Sequence, residues 1–142
     1  MNAPPTVDAN IWVAAFDETD RFHADSTEFL RVLAREAIIS VAPAVLLVEV
    51  ACALTRRFAD PDVGMEVAER LSTPGRIRLE PLTDALLSEA VRLGTGYRLR
   101  AADALYAATA ALRTEGRLVS WDGELVARAG AVTPTQWLAQ RA

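Results

Sequence analysis

The chain reads as an α/β domain on a parallel sheet covered on both faces, and three features of its 142 residues predict this. Short β-like apolar runs alternate with longer segments of helical spacing, the pattern of strands joined by crossover helices. About half of the residues (51%) are hydrophobic, enough for one core of ordinary size. Asp8 and Asp122 each close an apolar run, at what would be the carboxyl ends of two strands. Sheets of this kind bind ligands beyond those ends. One domain over residues 1–142 is expected, without repeats, low-complexity tracts or linkers.

Pro5 to Asp8 reads as the first strand, and Asn10 to Phe16 continues as helix or turn. Phe22 to Glu36 repeats apolar residues at near-helical spacing. Ile38 to Val41 is the second strand. Pro43 is placed to open a helix running to about Phe58, since proline suits a first helical turn. Asp60-Pro61-Asp62 is a turn and cap before a helix from Val63 to Leu71, which Pro74-Gly75 ends. Ile77 to Leu79 is the third strand. Thr83 or Asp84 caps a helix to Leu93, and Gly94-Thr95-Gly96 reads as a loop. Ala101 to Arg113 is an alanine-rich helix ended near Gly116. Leu118 to Trp121 is the fourth strand, Glu124 to Ala129 a short helix, and Ala131-Val132 a fifth strand. Thr133-Pro134 opens a last helix carrying Trp137 and Leu138.

Four acids occupy positions that ought to be apolar. Asp8 follows Pro-Thr-Val, Glu49 interrupts Val45–Val50, Asp103 lies in an alanine-rich helix, and Asp122 follows Leu-Val-Ser-Trp. Each has an ordinary reading as well. Asp8 fits an N-cap, Asp103 a favourable first-turn acid, and Asp122 a turn residue before Gly123. Glu49 resists this, because its i−4, i−3, i+3 and i+4 neighbours are Val45, Leu46, Cys52 and Ala53. A charge near a core is costly unless paired or bound to metal. The sequence offers these four no evident cationic partners, although a buried pair of Glu49 with Arg56 is conceivable. A shared divalent cation is the simplest compensation, and hard cations such as Mg²⁺ or Mn²⁺ prefer oxygen ligands. One or two such ions can activate water and steady a leaving oxygen in phosphoryl transfer. The pattern therefore points to a metal-dependent phosphoryl-transfer enzyme, most simply a nuclease.

Composition sharpens this. All 15 basic residues are arginine, against 19 acids and a net charge of −4. The absence of lysine excludes a phosphate-binding loop ending in Gly-Lys-Ser/Thr. It also disfavours aspartyl-phosphate phosphatases and response-regulator receivers, which place an Asp at a strand end but rely on a lysine. Taking the four anomalous acids from the 19 leaves 15, equal to the arginines. The rest of the chain is thus neutral, and bound metal would supply much of the attraction for a polyanion.

Val7-Asp8-Ala9-Asn10, Val48-Glu49-Val50, Leu99-Arg100-Ala101-Ala102-Asp103-Ala104 with Tyr106-Ala107, and Ser120-Trp121-Asp122 together resemble the PIN domain family, and within it the VapC toxins of bacterial toxin–antitoxin pairs. The resemblance runs from Asp8 to Thr133-Pro134, and its most specific stretch is residues 100–104. It implies a flavodoxin-like three-layer α/β/α sandwich with a five-stranded parallel sheet. It implies Mg²⁺- or Mn²⁺-dependent endoribonuclease activity, with Asp8, Glu49, Asp103 and Asp122 as the metal-binding, catalytic acids. Asn10 stands where the family has a Ser, Thr or Asn that orients the first Asp or a bound water. Ser120 stands for the Thr or Ser beside the last acid. A 5′-phosphate product, a homodimer and a small antitoxin that blocks the site are also implied. The rival reading is a PIN-like regulatory module that binds nucleic acid with little or no catalysis.

Among the remaining residues, Arg100, Arg98 and the Arg56-Arg57 pair are candidate RNA phosphate contacts, because guanidinium binds phosphate bidentately, with solvated helix ends as the ordinary reading. Arg100 is favoured by its place three residues before Asp103. His23 reads as a surface helix residue, and Trp12, Trp121 and Trp137 as core or dimer-interface residues rather than base-stacking platforms. The lone Cys52 reads as a buried, inert thiol of a reducing cytoplasm. No membrane helix or signal peptide is expected.

Overall fold

The computed structural model describes residues 3–141. Its central sheet is parallel throughout, in the order β3-β2-β1-β4. The strands are β1 (Thr6–Val7), β2 (Val41–Pro43), β3 (Arg78–Glu80) and β4 (Leu118–Val119). The expected fifth strand is reduced to one parallel bridge, Val119 to Val132, on the outer side of β4. Successive strand residues point to opposite faces. All seven residues of β1, β2 and β4 are buried, so both faces of the sheet centre are covered by helices.

Among the described residues eight helices surround it: α1 (Ala9–Phe16), α2 (His23–Arg35), α3 (Leu46–Phe58), α4 (Pro61–Leu71), α5 (Asp84–Tyr97), α6 (Ala101–Arg113), α7 (Gly123–Ala129) and α8 (Pro134–Gln140). Alanine-rich α6 lies against β1, β2 and β4, where small side chains permit close approach. Two starts follow the expected chemistry. Asp60 caps α4 through Asp62 N–H with Pro61 in the first turn, and Thr133 forms a capping box with Gln136.

Three elements depart from the sequence reading. The second strand begins at Val41 rather than Ile38. After α2, Ala37 adopts a left-handed conformation (φ 55°) and Ile38 N–H closes back onto the Leu33 carbonyl, so residue 38 terminates a helix. Pro43 ends β2 instead of opening α3. It is buried beside Glu80, and Ala44 N–H takes the ladder bond to the Glu80 carbonyl. Gly94-Thr95-Gly96 is not a loop, since α5 continues through it to Tyr97. Gly94 is there for packing: a Cβ at this position would stand 2.9 Å from that of Ala104 on α6.

Cys52 is exposed, not buried. The apolar stripe of α3 is Leu46, Val50 and Leu54, one residue every four, and Cys52 lies off it. Trp12 and Trp137 are core residues, with Trp137 set edge-on to Phe29. Half-buried His23 bonds through Nδ1 to the Ala14 carbonyl.

Helices α3 and α4 approach closely at Gly64. A Cβ on Gly64 would fall 2.4 Å from the Ala51 carbonyl oxygen and 2.1 Å from Thr55 Oγ1. Backbone cannot yield as a flexible side chain can. Gly64→Ala is therefore expected to destabilise the fold by about 1–3 kcal/mol, against a helix-propensity gain of about 1 kcal/mol. Denaturant titration checks this; an unchanged or raised midpoint would show that the hairpin has slack.

Candidate metal and nucleic-acid site

The sheet orders its carboxyl ends along one rim, and the acids follow from that. Asp8 comes directly after β1 and is the N-cap of α1. Glu49 lies in the first turn of α3, just after β2. Asp122 follows β4 and caps α7, its Oδ1 accepting from the Glu124 and Leu125 N–H groups at 2.8 and 3.2 Å. Asp103 lies in the first turn of α6. All four line one open cleft of about 260 Å³, with Asn10 and Arg57 among its other walls. Four helix amino ends thus converge here, and their positive dipoles offset part of the clustered negative charge.

Each carboxylate is differently held. Asp8 is buried and accepts a 2.6 Å bond from Ser120 Oγ. Ser120 Oγ in turn accepts from Asn10 Nδ2 at 3.2 Å and from Asp122 N–H at 2.9 Å. Its single proton and both lone pairs are used, so the hydroxyl cannot turn without breaking a bond. Asn10 reaches Asp8 only through Ser120, and its Oδ1 accepts from Trp121 N–H. Glu49 Oε1 accepts from the fully buried Tyr106 hydroxyl at 2.7 Å. Tyr106 stands one helical turn after Asp103, so α6 supplies both an acid and the anchor of another.

Burial pushes the Asp8 carboxyl up to about 7, against the Ser120 bond, with nearby Glu49 and Asp103 adding to the rise. Burial also raises Glu49, opposed by its Tyr106 bond. Asp103 is raised by burial and by Asp122, opposed by Arg100. These acids destabilise one another's charge, as expected of a site short of cations.

The expectation of no cationic partner fails for Asp103 and Asp122. Arg100 bridges them, with Nε 3.5 Å from Asp103 Oδ2 and Nη2 3.2 Å from Asp122 Oδ2. Arg100 is 74% exposed, so this is a solvated, weak pair. Asp103 Oδ2 is itself buried and makes no hydrogen bond. A further acid escaped the sequence reading. Oxygens of Asp103, Asp122 and Glu124 lie within 4.8 Å of one another, close enough to share one cation. The donors are all oxygen, and the buried one, Asp103 Oδ2, has only the long Arg100 ion pair, which suits a hard divalent ion.

Two of the other predicted arginines lie elsewhere. Arg56 borders a separate apolar groove beside Cys52 and Met65. Arg98 is the exposed left-handed cap of α5, its carbonyl accepting from Arg128. The arginine in the cleft wall is Arg57.

A PIN domain family model matches residues 6–131 of the chain. The chain belongs to the PIN domain family. Two solved structures share the PIN fold with it. One is a toxin–antitoxin complex from Klebsiella pneumoniae: 19% identity, TM-score 0.64, covering 92% of this chain and 97% of that one. The other is Mycobacterium tuberculosis VapC20, described as a sarcin–ricin loop cleaving toxin: 24% identity, TM-score 0.67, covering 86% and 92%. No curated protein matches the chain. Among the described residues of this PIN domain, no helix is long and apolar enough to cross a membrane.

Proposed function

We propose that this PIN domain is a Mg²⁺- or Mn²⁺-dependent endoribonuclease acting as the toxin of a VapBC-type pair. The observation that carries the reading is the convergence of Asp8, Glu49, Asp103 and Asp122 on one open cleft, where the buried Asp103 Oδ2 has only a long ion pair with exposed Arg100. Similarity to a toxin–antitoxin complex and to an RNA-cleaving toxin supports the RNA substrate and the antitoxin partner. Exposed Val48, Met65 and Val91 are apolar surface of the kind a homodimer or antitoxin contact would bury. A cytoplasmic location follows from that assignment.

Asp8, Glu49, Asp103 and Asp122 would hold the metal, with Glu124 beside the last two. A divalent ion there would neutralise charge on the scissile phosphodiester and make a bound water acidic enough to attack at neutral pH. The chain's own residues do the positioning. Ser120 fixes the Asp8 carboxylate and the Asp122 backbone through one hydroxyl, and Asn10 holds that hydroxyl in place. Tyr106 orients Glu49. Arg100, exposed beside Asp103 and Asp122, would offer its guanidinium to a phosphate oxygen at the mouth of the site.

The test is cleavage of single-stranded RNA with Mg²⁺ or Mn²⁺, with and without excess chelator. Cleavage should require the metal and leave 5′-phosphate ends; undiminished cleavage under chelation would refute the mechanism. The hydroxyl network gives a narrower expectation. Ser120→Ala frees Asp8 to rotate and leaves Asn10 Nδ2 unpaired, so Mn²⁺ binding should weaken about 10- to 100-fold. Calorimetry would read this, and unchanged affinity would mean that Ser120 does not orient the ligand.

A further inference from the structure

A second recess of about 260 Å³ adjoins the acid cleft and shares Asn10, Arg57 and Asp122 with it. Its far wall is a three-layer stack. The Trp121 and Phe22 rings lie parallel within 8°, centroids 4.1 Å apart, and the Arg21 guanidinium sits over Phe22 at 4.5 Å. Trp121 is held in place by its indole N–H, which donates to buried Ser26 Oγ at 2.8 Å. Arg21 itself is exposed.

The near wall is equally prepared. Arg57 Nη1 donates to Asp17 Oδ2 at 2.8 Å and to Asp20 Oδ2 at 2.7 Å. Asp17 is a firm anchor: Thr19 bonds first and Arg57 second hold its carboxyl down near 2. Two carboxylates thus grip one end of the guanidinium. Its Nε and Nη2 make no hydrogen bond among the described residues. Arg57 lines both recess and cleft, and the bidentate edge formed by these two donors matches two oxygens of a phosphate.

We propose that this recess is the subsite for the nucleotide flanking the scissile phosphate of single-stranded RNA. Arg57 takes the flanking phosphate, and the Arg21–Phe22–Trp121 stack takes the flanking base against the Arg21 plane. Unpaired bases are commonly read by stacking on aromatic rings or guanidinium planes. The assignment rests on the nuclease reading above and adds to it the residues that select substrate. Among the described residues no hydrogen bond or ion pair joins Arg21, Phe22 or Arg57 to Asp8, Glu49, Asp103 or Asp122, so the two should separate in kinetics: variants at these recess positions should alter KM and base preference, and cluster variants kcat.

The experiment is steady-state cleavage, with Mn²⁺, of short single-stranded RNAs carrying each base in turn on either side of the cut. Parent, Arg21→Ala, Phe22→Leu, Arg57→Gln and Arg56→Gln proteins are compared, with melting curves to confirm folding. Removing one stacked base contact is worth about 1–3 kcal/mol, or about 5- to 150-fold. Arg21→Ala and Phe22→Leu are expected to raise KM within that range and to flatten base preference on one side of the cut. Arg57→Gln should raise KM for every base and reduce its salt dependence, while Arg56→Gln should match the parent. Because Arg57 also ties down Asp17 and Asp20, exposed Arg21 supplies the variant whose folding is not at risk. A parent that cleaves, with recess variants keeping its KM and base preference, overturns the subsite alone. A parent that cleaves no RNA with either metal overturns the nuclease reading and the subsite with it.

Discussion

Asp103→Asn is expected to reduce metal-dependent RNA cleavage by more than about a hundredfold while leaving the fold intact. Asp103 is the member common to both halves of the cluster. It is electrostatically coupled to Asp8 and Glu49 on one side, and its oxygen lies within cation-sharing distance of Asp122 and Glu124 on the other. Its Oδ2 is the buried oxygen without a hydrogen bond, so the structure spends nothing local on holding that atom except a long contact from exposed Arg100. Asparagine keeps the shape and removes the charge. A loss confined to kcat and Mn²⁺ affinity, with an unchanged melting temperature or a higher one, would match this account. Removing a transition-state electrostatic group costs on the order of 10²–10³ in rate in well-studied enzymes. An Asp103→Asn protein cleaving at the parental rate would mean that the cluster does not do the chemistry.

How much of this was legible in the sequence depends on whether a residue's neighbours are local. Asp8 and Asp122 were readable because each ends an apolar run, and a strand end is a local fact. Asp103 and Glu49 were readable because helical spacing alone surrounds them with apolar residues. Glu124 was not, because an acid in the first turn of a helix is favourable in any protein and carries no anomaly. Choosing Arg57 over Arg56 was beyond spacing as well. Residue 56 lies nearer to Glu49 in helical phase, and Arg57 is drawn into the cleft wall by Asp17 and Asp20, 40 and 37 positions away. The Phe22–Trp121 stack likewise joins residues with no sequence relation. The glycines at 94 and 96 suggested a break because glycine usually is one; the nearness of α6 at Ala104 explains why Gly94 stays inside a helix. The fifth strand was placed correctly but is one bridge long, since a pattern of two apolar residues cannot state how many ladder bonds form.

Metal-free protein is expected to become less stable as pH rises from about 5 to 8, the reverse of ordinary acid denaturation. The sign follows from Asp8. Its carboxyl is raised from 3.8 to about 7 in the fold, so between those values the folded state holds a proton that the unfolded chain has lost. Stability then falls with increasing pH until both states are ionised, above about 7. Burial raises Glu49 and Asp103 in the same direction. Asp17 and Glu89 are shifted down, and their stabilisation is lost only as the medium becomes more acidic, outside this window. Between pH 5 and about 7 the Asp8 linkage is on the order of 3 kcal/mol, at about 1.4 kcal/mol per pH unit. In a domain of this size that corresponds to a melting shift on the order of 10 °C. A bound divalent cation favours the ionised acids, so excess Mn²⁺ should stabilise the protein most at pH 8 and least at pH 5. Asp8→Asn removes the largest of these titrations and should flatten the pH slope of the chelated protein while reducing the stabilisation by Mn²⁺. Melting curves at both pH values, with chelator or metal, read all four quantities. A chelated parent that melts higher at pH 8 than at pH 5 would mean that the clustered acids are solvated well enough to ionise freely. The fold would then have no electrostatic need of a cation.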